Sequence, residues 1–210
     1  TGFLDQFVEE GGCDLIERFA ALLPSDVIST LLGAPAEDHA SLRIWTETMM
    51  HRADGVSAIP KAASLASKNL LEYFAGLIAA KRKKPAEDLV SGLVEADLDG
   101  RRLTDPEILG FCFLLISGGN ETTEKLIANT IHQLSRHPDQ RAEIIANPTL
   151  IPDAIEESLR FRSPTQYMVR ATTGEVERHG RKIPEGDRVV LLIGAANHDP
   201  RRFADPGRFD

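Results

Sequence analysis

A carboxylic acid beside a hydroxyl, close behind a pair of glycines, is where this 210-residue chain first suggests chemistry: Gly118-Gly119-Asn120-Glu121-Thr122-Thr123. Glu121 offers a proton and Thr122 a hydroxyl that can relay it. Two glycines let a flat object approach the backbone with no Cβ in the way. The setting is unfavourable, which makes the cluster informative. It interrupts a stretch that reads as helix, where each glycine costs about 1 kcal/mol relative to alanine and paired threonines add β-branched strain. A glutamate carried into an interior also needs a partner or a raised pKa. The plain alternative is a tolerated kink with Glu121 turned to solvent, and residue physics leaves both readings open. Either way the pattern predicts a break in the i to i−4 ladder at Gly118-Gly119, with Thr122 bonding back to a carbonyl.

The element that must position this cluster is a long central helix. Thr104 and Glu107 have capping-box spacing, with Pro106 in the first turn. His137-Pro138 stops it, since the residue before a proline resists helical geometry. About 30 residues at 1.5 Å each make it roughly 45–50 Å long. Residues 108–116 are apolar on every face, which predicts burial all round.

Before it, residues 3–10 and 14–22 have helical spacing across Gly11-Gly12, and Leu15, Phe19 and Leu22 form a core face. Pro24-Ser25-Asp26 is read as the start of a helix over 27–32, ended by Gly33. Pro35 to Asp38 opens another, to about His51, whose Trp45 and Met49-Met50 could line a small-molecule pocket but at this spacing are read first as core. Residues 52–60 read as a loop. Lys61–Lys83 is a long amphipathic helix with Leu70, Leu71, Phe74, Leu77 and Ile78 on its apolar side. Residues 88–96 form a shorter one, and Asp99-Gly100 turns the chain. After Pro138, helices are predicted over 139–146 and from Pro152 to Arg160, ended at Ser163-Pro164. The period then changes to that of strands, over 166–172, 175–176 and 188–192, with turns at Arg178-His179-Gly180 and 184–187. The reading is a mainly α chain with a small β region, one domain over 1–210. Residues 1–164 are mostly helical, 165–192 the β region and 193–210 a proline-punctuated coil.

Charge and composition narrow the function classes. A formal net charge of −8 and a pI near 5.3 argue against a nucleic-acid or anionic-membrane surface. Lys81 to Lys84 reads as a solvated helix end. No apolar stretch approaches the ~20 residues of a bilayer span, and no signal-peptide pattern opens the chain. Cys13 and Cys112 lack metal-ligand spacing and read as small buried hydrophobes of a reducing cytoplasm. The histidines show no HxxxH or HExxH spacing, so a protein-ligated metal is not expected.

Glu157 and Arg160, at i and i+3, can pair on one helix face, which alone is commonplace. In order along the chain, however, stand the Gly118–Thr123 motif, Glu157-x-x-Arg160, and Ala196-Asn197-His198-Asp199-Pro200 followed by Phe203-Ala204-Asp205-Pro206-Gly207-Arg208-Phe209-Asp210. With Leu31-Leu32-Gly33-Ala34-Pro35 near the start, this series resembles the cytochrome P-450 family of haem-thiolate monooxygenases, in its soluble bacterial branch.

The resemblance implies the fold, around its one long central helix, and the roles. Thr122 corresponds to the threonine that helps deliver protons to dioxygen, and Glu121 to the adjacent acid. Gly118 and Gly119 correspond to the oxygen-binding groove in the central helix, and Arg170 to the arginine that bonds a haem propionate. Leu114, Ser117, Met168 and Val169 fall where the family lines its substrate pocket. Glu157, Arg160 and Arg208 correspond to a buried structural trio. Haem b, an apolar small-molecule substrate, and a ferredoxin or flavoprotein carrying electrons from NAD(P)H are implied for the complete protein.

The family's axial cysteine, in a Phe- and Gly-rich loop, has no counterpart in residues 1–210, and its first helices and strands are also unmatched. These residues alone are therefore expected to bind no haem and to be inactive, with an open apolar groove beside Gly118 or that surface covered by self-association. The competing reading is a haem-free helical binding or assembly module, or a non-catalytic proteolytic or disrupted-gene fragment.

Overall fold

The computed structural model describes residues 2–52, 55 and 58–210. A short α1 (Gly2–Asp5) precedes a π turn, Ile16–Ala20, in which the Ala21 N–H reaches the Ile16 carbonyl. The chain passes directly into α2 (Leu22–Leu32). The helix expected to begin after Pro24 thus begins before it, because a proline within the first helical turn removes an N–H that has no intrahelical partner anyway. Gly33, at φ 80°, ends α2 in the left-handed conformation, and Ala34 N–H closes the turn on the Ser29 carbonyl. A 3-10 turn, Ala36–Asp38, leads into α3 (His39–Met50). The loop expected over 52–60 falls in part on residues 53, 54, 56 and 57, outside the described residues.

Helix α4 (Lys61–Lys83) has the predicted bounds. Ala63, Ala66, Leu70, Phe74 and Ile78 recur every three or four residues and are all buried, while Leu71, expected with them, is exposed at the edge of the stripe. Three basic residues in the last turn suit the negative end of the helix dipole. Helix α5 (Leu89–Glu95) is capped by Asp88, whose carboxylate accepts from the Ser91 N–H at 2.8 Å. Asp99 and Gly100, both at positive φ, then make a two-residue hairpin between β1 (Asp97–Leu98) and β2 (Arg101–Arg102), strands too short to show any alternation in the sequence.

Helix α6 (Asp105–Arg136) is entered through Glu107, whose carboxylate accepts from both the N–H and the hydroxyl of Thr104 at 2.8 Å. Those bonds, with Arg101 beside it, hold the Glu107 pKa down to about 2. The chain clusters into two compact units, Thr1–Glu124 and Lys125–Asp210, dividing within α6. The core of the first unit gathers Leu32, Leu42, Leu70, Phe74, Val90, Ile108 and Ile116.

In the second unit α7 (Pro138–Ala146) and α8 (Ile151–Phe161) each carry a proline in the first turn. Strand β3 (Met168–Ala171) pairs antiparallel with β6 (Arg188–Leu191), Met168 opposite Leu191 and Ala171 opposite Arg188. Between them β4 (Val176–Arg178) and β5 (Arg181–Ile183) form a hairpin turned by His179 and Gly180, both at positive φ. Part of the expected terminal coil is a short α9 (Ile193–Ala196). No helix among the described residues is long and apolar enough to cross a membrane.

Candidate active site

Helix α6 sorts its residues into two faces. Ile108, Cys112, Ile116 and Asn120, four apart, are buried. Phe111, Leu114, Gly118 and Thr122, spaced by three and four, lie on the other side and are all exposed, Leu114 by 66 %. Burial all round 108–116 is therefore corrected: Gly110, Phe111 and Leu114 are exposed. Beside Gly118 an added Cβ would meet nothing within 4 Å, whereas at Gly119 it would lie 3.1 Å from Cγ1 of Ile28 on α2. The two glycines serve different needs. Gly119 lets α2 approach α6, and Gly118 leaves the open face flat.

The expected break in the helical ladder is absent, for α6 is α-helical throughout. Thr122 Oγ1 does donate back to the Gly118 carbonyl at 2.8 Å, but this bond adds to the regular ladder without displacing it. Ser117 behaves likewise, its hydroxyl bonded to the Phe113 carbonyl of its own helix. Gly118 still provides a flat open face, so the groove reading now rests on the absence of a Cβ and not on an unwound backbone. Glu121 is half-buried next to this face. With its hydrogen committed to Gly118, Thr122 Oγ1 turns only lone pairs toward the open side and acts there as an acceptor.

Met168, Val169 and Arg170 follow one another on β3 in the second unit, all exposed. The Arg170 guanidinium bonds only the carbonyl of its neighbour Val169 among the described oxygens, at 3.0 Å. Leu114, Ser117, Gly118, Gly119, Glu121 and Thr122 belong to the first unit, so the expected site residues form two groups, one on each unit.

The structural trio is the best-defined cluster. Arg160 Nε and Nη2 hold the two Glu157 oxygens at 2.6 and 2.7 Å, a bidentate fork with side chains only 12 % and 14 % exposed. Arg160 also donates to the carbonyls of Asn197 and Pro206 at 3.0 Å and of Arg208 at 2.8 Å. Its guanidinium lies over the rings of Phe161 and Phe203. Hydrogen bonding to Glu157 raises the Arg160 pKa further still. Arg208 joins differently from expectation. Its carbonyl is the partner, while its guanidinium is 63 % exposed and pairs with Asp210 at 3.3 Å. The place of a third side chain at Glu157 is taken by the Asp210 N–H, 2.9 Å from Oε1.

Three contributors went unassigned in the sequence. The Asn197 amide donates to the Leu159 carbonyl, Phe209 is buried against Phe161 and His137, and Gln140 donates to the Phe209 carbonyl. Asn197 and Phe209 stand in the motifs already quoted, but nothing in residue type says that backbone carbonyls there point at one arginine. A cleft of about 200 Å³ lies beside Glu157, between Gln140, Glu143, Asp153 and Phe209. Its lining is mixed, with Glu143, Asp153 and Asp210 beside Ile144, Leu150 and Ala154.

The two cysteines differ in setting. Cys112 is fully buried in the core, and burial pushes its thiol up to about 11. Cys13, expected to be buried, is exposed in the stretch between α1 and the π turn, where no core packs over it.

A family model described as cytochrome P-450 matches residues 62–210. Cytochrome P-450 107B1 of Saccharopolyspora erythraea is 42 % identical over 208 residues, covering 99 % of this chain and 50 % of that protein. The cytochrome P-450 monooxygenase PikC of Streptomyces venezuelae is 41 % identical over 203 residues, 96 % of this chain and 48 % of its own length. Among solved structures, CYP109E1 of Bacillus megaterium in complex with testosterone superposes with a TM-score of 0.89 at 34 % identity, over 100 % of this chain and 57 % of that one. The chain thus spans about half the length of the curated relatives it matches.

Proposed function

Because the chain belongs to the cytochrome P-450 family, we propose that the whole protein is a haem-thiolate monooxygenase of the bacterial cytoplasm. It inserts one oxygen atom of dioxygen into an apolar small molecule, with electrons from NAD(P)H passed by a ferredoxin or flavoprotein. The observation that carries this reading is the open face of α6, on which apolar Phe111 and Leu114 lead to a bare Gly118 and then to the Thr122 hydroxyl. A flat apolar macrocycle fits such a face; the assignment of Arg170, exposed on the second unit, to a propionate rests on the family's pattern alone. Haem b, when bound, supplies the electron-transfer and dioxygen chemistry that no side chain here can perform. The axial thiolate is assigned to a residue outside these 210, since Cys112 is locked in the core as a thiol and neither it nor Cys13 stands in a Phe- and Gly-rich loop.

The roles of this chain's own residues follow from their positions. Leu114 presents apolar surface to the substrate on the first unit, and the family's pattern gives Met168 and Val169, exposed on β3 of the second, the same role. Thr122 Oγ1 accepts a hydrogen bond from a proton-bearing oxygen at the open face, and becomes a donor only by releasing the Gly118 carbonyl. Glu121 passes protons between that face and bulk water. A positioned proton donor is typically worth ~10²–10⁴ in rate. Thr122→Ala in the complete protein should therefore keep substrate binding and NAD(P)H oxidation but divert much of the flux to hydrogen peroxide. Glu121→Gln should slow turnover instead. Product and peroxide per NAD(P)H oxidised are the measurements, and a Thr122→Ala enzyme coupled as tightly as wild type would end the proton-delivery assignment. Residues 1–210 alone, reduced and treated with carbon monoxide, should lack the thiolate-dependent absorption band. Its appearance would refute the external origin of the ligand.

A further inference from the structure

Among the described residues of the first unit, Ser25 and Ser29 on α2 and Asn120 on α6 have buried side-chain polar atoms with no hydrogen-bond partner. Ser29 is fully buried, and both amide atoms of Asn120 are shielded. Ser25 and Ser29 sit one turn apart on one face of α2. The helices meet at Ile28 and Gly119, the residues immediately before Ser29 and Asn120.

Several helical hydroxyls elsewhere in this protein have a local remedy. Thr46, Ser67, Ser117, Thr122, Thr130 and Ser158 all turn back onto the carbonyl four residues earlier. Ser25 and Ser29 do not, and an asparagine amide needs partners for both its oxygen and its nitrogen. Buried polar groups left unmatched by protein are ordinarily matched by internal water, which requires a polar site with two to four partners.

We propose that Ser25, Ser29 and Asn120 bind ordered water in a polar seam between α2 and α6, on the side of α6 away from Thr122. The close approach at Gly119 and the hydrated residues beside it together fix how α6 is seated on α2.

The test is a thermal-melting cycle on the complete protein with Ser29→Ala, Asn120→Ala and the double variant, Asn120→Ser replacing Asn120→Ala if the latter does not fold. Water bridging the two residues predicts that Ser29→Ala lowers Tm by about 2–4 °C. It also predicts that the double variant loses less than the sum of the singles, because one set of waters is removed twice. An unchanged or raised Tm for Ser29→Ala would mean a hydroxyl that is unsatisfied or bonded back to its own helix, and would overturn the seam. Strict additivity would overturn the shared site. A high-resolution crystal structure should place water within hydrogen-bond distance of the Asn120 amide and of a serine hydroxyl. A direct Ser29–Asn120 bond with no water there would also refute it.

Discussion

Replacing Arg160 by alanine removes five hydrogen bonds at once, two to Glu157 and three to the carbonyls of Asn197, Pro206 and Arg208. It also leaves the Glu157 carboxylate, among the described residues, with the Asp210 N–H alone in a largely enclosed site. Breaking a buried ion pair typically costs ~3–5 kcal/mol, against less than one for an exposed pair. The two side chains keep some solvent contact, so the lower end applies, about 3 kcal/mol. At roughly 2–4 °C per kcal/mol for a chain of this size, Tm should fall by about 6–12 °C. Arg160→Lys should recover less than half of this, since a point ammonium cannot fork onto a carboxylate while reaching three carbonyls. Arg208→Ala is the decisive control. Its guanidinium is exposed and its carbonyl survives the substitution, so the expected cost is within about 0.5 kcal/mol. Calorimetry or circular-dichroism melting of the three variants reads the outcome. If Arg208→Ala proves as damaging as Arg160→Ala, the arginine side chain is the third member of the trio and the backbone account is wrong. An Arg160→Ala loss under 1 kcal/mol would make the pair an ordinary surface contact.

The two glycines should respond oppositely to alanine. Gly118→Ala should keep or raise stability by up to about 1 kcal/mol, yet lower haem content in the complete protein. Gly119→Ala should lower Tm, because Ile28 must move, and equal melting of the two variants would contradict this. The Lys81–Asp88 pair, 16 % and 5 % exposed, should tie α4 to α5 in a pH-dependent way. Burial pushes the Asp88 pKa up, but hydrogen bonds from Lys81 and the Ser91 N–H prevail and lower it on balance. Its stabilisation is therefore fully present above the unfolded value of about 3.9 and lost as pH falls through the lower folded value. The gap between wild type and Asp88→Asn should stay constant from about pH 8 to 5 and close below about 4; a gap unchanged in acid would refute the charge contribution. Thiol labelling at pH 8 should modify Cys13 alone in the folded protein and Cys112 only on unfolding, a result that native labelling of both would exclude.

What the order of residues determined by itself was local. The period-3.6 stripe of α4 and the prolines and caps at the ends of α6, α7 and α8 could be read because their causes lie within a few residues of each terminus. The series Gly118–Thr123, Glu157-x-x-Arg160, and Ala196–Pro200 with Phe203–Asp210 marked the family for a related reason: each motif lies within a few consecutive residues. The tertiary structure decided matters that depend on neighbours distant in sequence. Gly118 and Gly119 are chemically identical, and only the approach of Ile28 distinguishes the glycine that packs from the one that stays bare. The helix stays unbroken there because a threonine hydroxyl can share a carbonyl without taking it from the ladder, and propensity cannot foretell that choice. Arg208 was named for its side chain and serves through its carbonyl. Every residue carries the same carbonyl, so its partner is set by where the chain passes and not by which residue passes there.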